Sequence, residues 1–216
     1  MKIIEKLLLV DDHQIVREGM TALLSTMPWV HQVIPCGDGV DVMPLVRKYQ
    51  PDLVLMDITL PGLNGIELTT QIKQEHPHIK VLILSMHAGA EYVAKAKLAG
   101  VDGYLIKDAA FDELANAISR VMTGEFYLSS AIDSLVVSQY QQTNDPNDPL
   151  AILTPRQKQI LQLIAEGLST RDISGRLCLS SKTVETHRAQ IMARTGVKSV
   201  AGLVKIAIAN GLIELE

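Results

Sequence analysis

The sequence predicts a doubly wound α/β domain with a five-stranded parallel sheet, followed by a smaller all-α domain. Three observations predict this fold class. Short apolar runs alternate with helical patterns over residues 1–124, no strand pattern occurs in residues 151–216, and a polar segment with two prolines lies between them, within residues 125–150. With 216 residues, the chain is long enough for two domains of ordinary size.

Five short apolar runs in residues 1–124 have the length and the branched residues that are typical of strands buried on both faces. Pro35 interrupts the second run and makes it the weakest. Five consecutive βα units imply a flavodoxin-like parallel sheet. The predicted strands are 6–10, 33–36, 53–57, 80–85 and 103–107, and the predicted helices are 13–25, 39–49, 65–75, 89–99 and 111–123.

The second domain is predicted to contain four helices, each of which follows a plausible N-cap, such as Thr154 before Pro155, or Ser180. Within the linker, the stretch AIDSLVVSQY is compatible with one further helix. The four predicted helices lie near 155–167, 170–177, 181–194 and 199–210.

The net charge of −4 is unevenly distributed. Residues 151–216 carry nine Lys and Arg against five Asp and Glu, whereas the first 150 residues carry eleven against nineteen. The basic second domain is therefore expected to contact a polyanion. No apolar run approaches the ~20 residues of a membrane span, the N-terminus does not resemble a signal peptide, and the two cysteines have no partner at metal-ligand spacing, so a cytoplasmic protein without a membrane partner is expected.

Chemically active side chains follow four of the five predicted strands. Asp11 and Asp12 follow the first strand, Asp57 ends the third, Ser85 ends the fourth and Lys107 ends the fifth. Because the carboxyl ends of parallel strands meet at one edge of a sheet, these side chains are expected to converge. Each residue alone has an ordinary structural explanation as a cap or a solvated side chain, but their joint placement favours a site.

Three neighbouring carboxylates repel each other unless a cation lies among them, and Mg²⁺ suits such an oxygen-rich set. With Mg²⁺ bound, Asp57 can attack a phosphorus atom and form an acyl phosphate. Lys107 can then pair with the phosphoryl oxygens, and Ser85 can donate a hydrogen bond to one of them. The sequence therefore predicts a magnesium-dependent phosphoryl acceptor at Asp57.

The second and third helices of the basic domain have the pattern of a helix, a tight turn and a second helix. Ile173, Leu177, Val184 and Ile191 are spaced to pack inside. The second helix of such a pair fits the major groove of DNA, where basic residues neutralise phosphates and Glu185 can accept from a cytosine amino group. The alternative is a plain helical bundle with a solvated basic face. The candidate DNA contacts are Lys182, Thr183, Glu185, Thr186, His187, Arg188 and Ala189.

The motifs LLLVDDH, LVLMDITLPGLNG, VLILS and GYLIK resemble the receiver domain of two-component response regulators over about the first 123 residues. The resemblance implies that Asp57 is the phosphoacceptor. It also implies that Asp12, Asp57 and the backbone carbonyl of Thr59 hold Mg²⁺ with Asp11 close by, that Ser85 and Tyr104 form the switch pair, and that Lys107 pairs with the phosphate. Receivers often carry proline after this lysine, where this chain has Asp108.

The stretches LTPR, AEGLS, LSSKTVETHR and GVKS closely resemble the LuxR-type helix-turn-helix of NarL/FixJ-family response regulators. The resemblance implies that the last helix is a dimer surface. The chain departs from the usual family residues at four positions, with glutamine in place of glutamate, threonine in place of asparagine, serine in place of alanine and threonine in place of leucine. These positions are Gln157, Thr170, Ser174 and Thr195.

The resemblance implies a transcription factor that a histidine kinase phosphorylates and that binds double-stranded DNA as a homodimer, with RNA polymerase as a further candidate partner. No enzymatic activity is expected beyond slow magnesium-dependent autophosphorylation and autodephosphorylation. Two alternatives stay open: a regulator that a partner protein controls without phosphorylation, and a magnesium phosphatase or phosphotransferase. The latter enzymes favour an acid two residues after the nucleophile, where this chain has Thr59.

Overall fold

The computed structural model describes residues 2–132, 150, 152–210 and 212–213. These residues form two compact units, one with a parallel sheet and one with four helices, so the predicted fold class is confirmed. The further helix that the sequence allows within the linker, at residues 131–140, lies mostly outside the described residues, which exclude 133–140.

Strands and helices alternate through the first unit, and all neighbouring strands pair in parallel in the order β2-β1-β3-β4-β5-β6. A short 3₁₀ turn at Lys107–Ala109 joins β5 to α5. The elements are β1 (Ile4–Val10), α1 (Gln14–Ser25), β2 (Val30–Cys36), α2 (Gly39–Tyr49), β3 (Leu53–Asp57), α3 (Gly65–Glu75), β4 (Lys80–Ser85), α4 (Ala90–Leu98), β5 (Gly103–Ile106), α5 (Ala110–Thr123) and β6 (Tyr127–Leu128).

The sheet differs from the prediction at its two edges. It has six strands and not five, because β6, within the predicted linker, pairs with β5. At the other edge, β2 begins three residues earlier than predicted, and Pro35 lies within it. An edge strand tolerates proline because one side of its backbone has no strand partner.

The central strands are buried on both faces, and all five residues of β3 are inaccessible to solvent or nearly so. Helices α1 and α5 cover one face through an apolar cluster that includes Leu24, Leu114 and Ile118. A strand with this burial is rigid, so the residue at its end, Asp57, has a fixed position.

The described part of the second unit contains four helices around its own apolar core, as predicted. Thr154 caps the first helix with a capping box to Gln157, and Ser180 caps the third through a hydrogen bond from Thr183 N. Gly196 ends the third helix in the left-handed conformation. The helices are α6 (Pro155–Ala165), α7 (Thr170–Arg176), α8 (Ser181–Thr195) and α9 (Val200–Ala209), and the core includes Ile160, Leu163, Ile173, Val184, Ile191 and Leu203.

Candidate functional site

The ends of the central strands bring the predicted carboxylates together. Val10 of β1 is paired with Met56 of β3, so Asp11 and Asp57 leave their strands at the same level. Asp11, Asp12, Asp57 and the neighbouring His13 each place one potential ligand atom within 4.8 Å of all the others. The prediction did not include His13, which is largely exposed.

Lys107 lies between the two buried carboxylates. Its Nζ atom is 2.5 Å from Asp57 Oδ2 and 2.8 Å from Asp11 Oδ2, although Asp108 follows it where receivers often have proline. Asp11 and Asp57 are 1% and 3% exposed, so these are buried ion pairs. Arg17, which the sequence reasoning missed, donates from Nη1 to the carbonyl oxygens of Asp11 and Asp12 and fixes the backbone of this loop.

Burial and charge shift the pKa values of this cluster. Burial raises the pKa of Asp57 to about 6, although Lys107 and the N–H of Thr59 act in the opposite direction. Burial by itself lowers the pKa of Lys107, but the Asp57 and Asp11 carboxylates outweigh it and hold that pKa above its ordinary value. Lys107 therefore stays protonated at neutral pH and offsets only part of the negative charge at this edge.

One carboxylate oxygen at this edge fits a bound cation in particular. Asp12 Oδ1 is buried and accepts no hydrogen bond from the described part of the chain; it lies 3.0 Å from His13 Nδ1. Asp11 Oδ2 beside it is also buried and pairs with Lys107 Nζ at 2.8 Å. A buried carboxylate oxygen without a hydrogen-bond donor is suited to a hard divalent ion, which prefers oxygen ligands.

Thr59, whose backbone carbonyl is a predicted metal ligand, contacts the side chain of Asp57. Thr59 is exposed, and its N–H donates to Asp57 Oδ1 over 3.2 Å. This bond fixes the orientation of the Asp57 carboxylate. Coordination by the Thr59 carbonyl stays a prediction.

Ser85 and Tyr104, the predicted switch pair, are both buried and hydrogen bond to the backbone of the same residue. Ser85 Oγ accepts from the N–H of His87 at 3.0 Å, and the Tyr104 hydroxyl donates to the His87 carbonyl at 2.9 Å. The His87 ring stacks on Tyr92 of α4, with ring centroids 4.3 Å apart. Because both side chains bond to the backbone of His87, a displacement of Ser85 would move the carbonyl group to which Tyr104 donates. Sequence reasoning missed His87.

Helices α7 and α8 have the predicted interior, and the candidate DNA contacts on α8 differ in their exposure. Ile173, Leu177, Val184 and Ile191 are buried. Among the candidate DNA contacts, Lys182, Glu185, Thr186 and Ala189 are exposed, whereas Thr183, His187 and Arg188 are half-buried.

Several candidate DNA contacts have partners within the second unit. Ser180 Oγ lies 2.7 Å from Thr183 Oγ1, and Thr186 Oγ1 donates to the carbonyl of Lys182 over 2.9 Å. Glu185 accepts a hydrogen bond from Thr170. These contacts leave the methyl group of Thr186 free for an apolar partner but commit the Thr183 hydroxyl to the helix cap.

No helix among the described residues is both long enough and apolar enough to cross a membrane.

Comparisons with known proteins match both units. A family model described as "Response regulator receiver domain" matches residues 7–119, and one described as "Bacterial regulatory proteins, luxR family" matches residues 151–207. Transcriptional regulatory protein MctR of Rhizobium johnstonii is 34% identical over 209 residues, which cover 96% of this chain and 95% of MctR. Oxygen regulatory protein NreC of Staphylococcus aureus is 35% identical over 215 residues, which cover 97% and 99%.

Solved structures agree with this similarity. A LuxR-family response regulator from Aurantimonas sp. SI85-9A1 is 35% identical with a TM-score of 0.60, over 65% of this chain and 99% of that chain. RcsB of Salmonella typhimurium is 23% identical with a TM-score of 0.56, over 97% and 100%, which shows a shared fold. The chain therefore belongs to the two-component response regulators that join a receiver domain to a LuxR-type helix-turn-helix domain, a family of phosphorylation-controlled transcriptional regulators.

Proposed function

We propose that Asp57 accepts a phosphoryl group from a histidine kinase in the presence of Mg²⁺, and that this modification controls binding to double-stranded DNA. The observation that carries the proposal is the convergence of Asp11, Asp12, Asp57 and Lys107 at one edge of the sheet. Structural capping explains a single aspartate at a strand end, but it does not explain two buried carboxylates that share one lysine.

The residues of the site have separate roles in phosphoryl transfer. An oxygen of Asp57 attacks the phosphorus of the kinase phosphohistidine, the P–N bond breaks, the imidazole leaves and an acyl phosphate forms. Lys107 is placed to pair with the new phosphoryl oxygens, and Ser85 to donate to one of them. Bound Mg²⁺, with Asp11, Asp12, Asp57 and the carbonyl of Thr59 as its proposed ligands, supplies neutralising charge.

The output of the protein is DNA binding by α8. Lys182 and Arg188 form no ion pair within the described ranges, so both charges are available for phosphates. The relatives MctR and NreC are named as regulatory proteins, which supports a role in transcription. The active form is a homodimer that pairs through α9 and reads half-sites about one DNA turn apart.

The protein works in the cytoplasm, with RNA polymerase as a further candidate partner. It performs no catalysis beyond slow magnesium-dependent transfer of phosphoryl groups to and from its own Asp57. Hydrolysis of small phosphate esters with turnover would favour a phosphatase instead.

DNA affinity tests the proposal. Duplexes enriched from a random-sequence library are titrated with full-length protein, with and without acetyl phosphate and Mg²⁺. We expect acetyl phosphate to tighten binding by the wild type but not by Asp57→Ala, and Asp41→Asn, which alters an exposed aspartate of α2, to behave like the wild type. An equal affinity of treated and untreated wild type would contradict phosphorylation control and favour a regulatory partner protein.

A further inference from the structure

A hydrogen bond joins the first residue of α7 to an exposed glutamate on α8. Thr170 Oγ1 donates to Glu185 Oε1 over 2.6 Å. One helical turn later in α7 and one turn earlier in α8, Ser181 Oγ lies 3.4 Å from Ser174 Oγ. Thr170 and Ser174 are two of the four positions at which this chain departs from the usual family residues, and both use a hydroxyl group to contact α8.

Glu185 is held by this hydrogen bond and by no other polar contact within the part of the chain that the structure describes. Its second carboxylate oxygen, Oε2, accepts no hydrogen bond there, and neither oxygen forms an ion pair. The carboxylate is therefore oriented through one oxygen, while the other stays available to a donor outside the protein.

An unpaired carboxylate on a helix that faces DNA is repelled by phosphates, so it is favourable only where a base edge offers a donor. The amino group of cytosine is that donor in the major groove. A free glutamate side chain loses rotamer freedom when it makes such a contact, which weakens the discrimination between bases. Thr170 is β-branched and stiff, and the capping box of Ser169 and Asp172 fixes its backbone.

We propose that Thr170 is a positioning residue for base recognition: its hydroxyl holds Glu185 ready to accept a hydrogen bond from a cytosine amino group. This inference rests on the proposed function, in which α8 enters the major groove. Thr170 itself touches no base in this arrangement, and its effect passes through Glu185.

The test compares base preferences and not affinity alone. Full-length wild type enriches binding sites from a random-sequence duplex library, and its preference at each position is then measured by competition between duplexes that differ by one base pair. The variants are Glu185→Gln, Thr170→Val, which removes the hydroxyl at nearly constant shape, and Thr170→Ser, which restores it. Ser174→Ala is the matched control, because it removes the hydroxyl contact of α7 with Ser181 of α8 and leaves the hydrogen bond to Glu185 in place.

We expect Glu185→Gln and Thr170→Val to reduce the preference for cytosine at the same position, by about two- to tenfold for the loss of one hydrogen bond. Thr170→Ser and Ser174→Ala are expected to keep that preference. Thermal unfolding of each variant shows whether the domain stays folded.

Three outcomes overturn the inference. If Thr170→Val weakens binding to all duplexes equally, Thr170 has only a structural role. If Glu185→Gln changes the preference and Thr170→Val does not, Glu185 needs no positioning, while the proposed function stands. If the wild type enriches no sequence at all, the proposed function fails together with the inference.

Discussion

At the scale of single residues, the site buries charged side chains, and this burial costs free energy of folding. Asp11 and Asp57 are both buried, and one lysine lies between them. The raised pKa of Asp57 is the direct sign of this cost, because burial favours the neutral carboxyl. A protein that only needed a stable strand end would have an apolar residue here, so the carboxylates indicate selection for chemistry.

Gly65, the last residue of the LVLMDITLPGLNG motif, permits the close approach of α3 to the end of β3. A Cβ atom at position 65 would overlap the carbonyl oxygen of Asp57. We predict that Gly65→Ala lowers the free energy of unfolding by about 1–3 kcal/mol, because the backbone of Asp57 must move. The same shift should slow labelling by a small phosphodonor.

Gly19, in the middle of α1, is the matched control for Gly65, because a Cβ atom there meets no other atom. Gly19→Ala should raise the free energy of unfolding by about 0.5–1 kcal/mol. Chemical denaturation measures both changes. An equal effect of the two substitutions would show that Gly65 has no special packing role.

At the scale of elements, α6 and α8 are joined by a polar network around the buried side chain of Gln157. Its Oε1 accepts from Arg194 Nη1 at 3.0 Å and from the N–H of Thr154 at 3.1 Å, and its Nε2 donates to Gln190 Oε1 at 3.0 Å. The family usually has glutamate at this position, and glutamine here leaves Arg194 bonded to a neutral amide.

Gln157→Glu should therefore raise the free energy of unfolding at neutral pH by about 1 kcal/mol, the difference between a charged and a neutral hydrogen bond. Gln190 is exposed and can turn its amide to donate. The new carboxyl would have a lowered pKa in the folded state, so the gain is present above the unfolded pKa and is lost as the pH falls through the folded pKa.

A double-mutant cycle with Arg194→Gln tests this interpretation of Gln157. The gain should disappear in the Arg194→Gln background. A gain of the same size without Arg194 would mean that the ionic contact is not its cause.

Strand β6 is held to the first unit by Glu113 of α5, which accepts hydrogen bonds from Tyr127, Ser129 and Ser130. Burial and the Glu113 carboxylate raise the pKa of Tyr127 to about 12. The folded state therefore keeps the Tyr127 proton to a higher pH than the unfolded chain does. The contribution of Tyr127 to stability is complete below a pH of about 10 and is lost as the pH rises toward 12.

Phenolate absorbance during an alkaline titration measures this shift. The difference between the titration curves of wild type and Tyr127→Phe should show one tyrosine that titrates near pH 12. Glu113→Gln should lower the pKa of that tyrosine. A titration near the ordinary tyrosine pKa of about 10 would mean that β6 does not hold Tyr127 in place.

At the scale of the whole molecule, the features that the sequence predicted are those that regular geometry dictates. A parallel sheet brings the ends of its strands together, so residues 11, 57, 85 and 107 could be assigned to one edge from the sequence alone. Strand β6 was missed because two residues carry no periodic pattern. The contacts of Thr170 and His87 were missed because they depend on how helices cross and loops fold back.

Divalent ions should stabilise the complete protein if the carboxylates form a metal site. At a Mg²⁺ concentration about ten times its Kd, the free energy of unfolding should rise by about 1.4 kcal/mol and the Tm should rise with it. Asp12→Asn should reduce this response, and Asp41→Asn should not. A wild-type Tm that does not change when Mg²⁺ is added would contradict the metal site.

Transfer of a phosphoryl group to Asp57 is the central claim, and radiolabelled acetyl phosphate tests it most directly. Full-length wild type and Asp41→Asn should each take up close to one label per chain when Mg²⁺ is present and little when it is chelated. Asp57→Asn should take up none. Labelling of Asp57→Asn at the wild-type level, or an unlabelled wild type that is folded and supplied with Mg²⁺, would contradict the account.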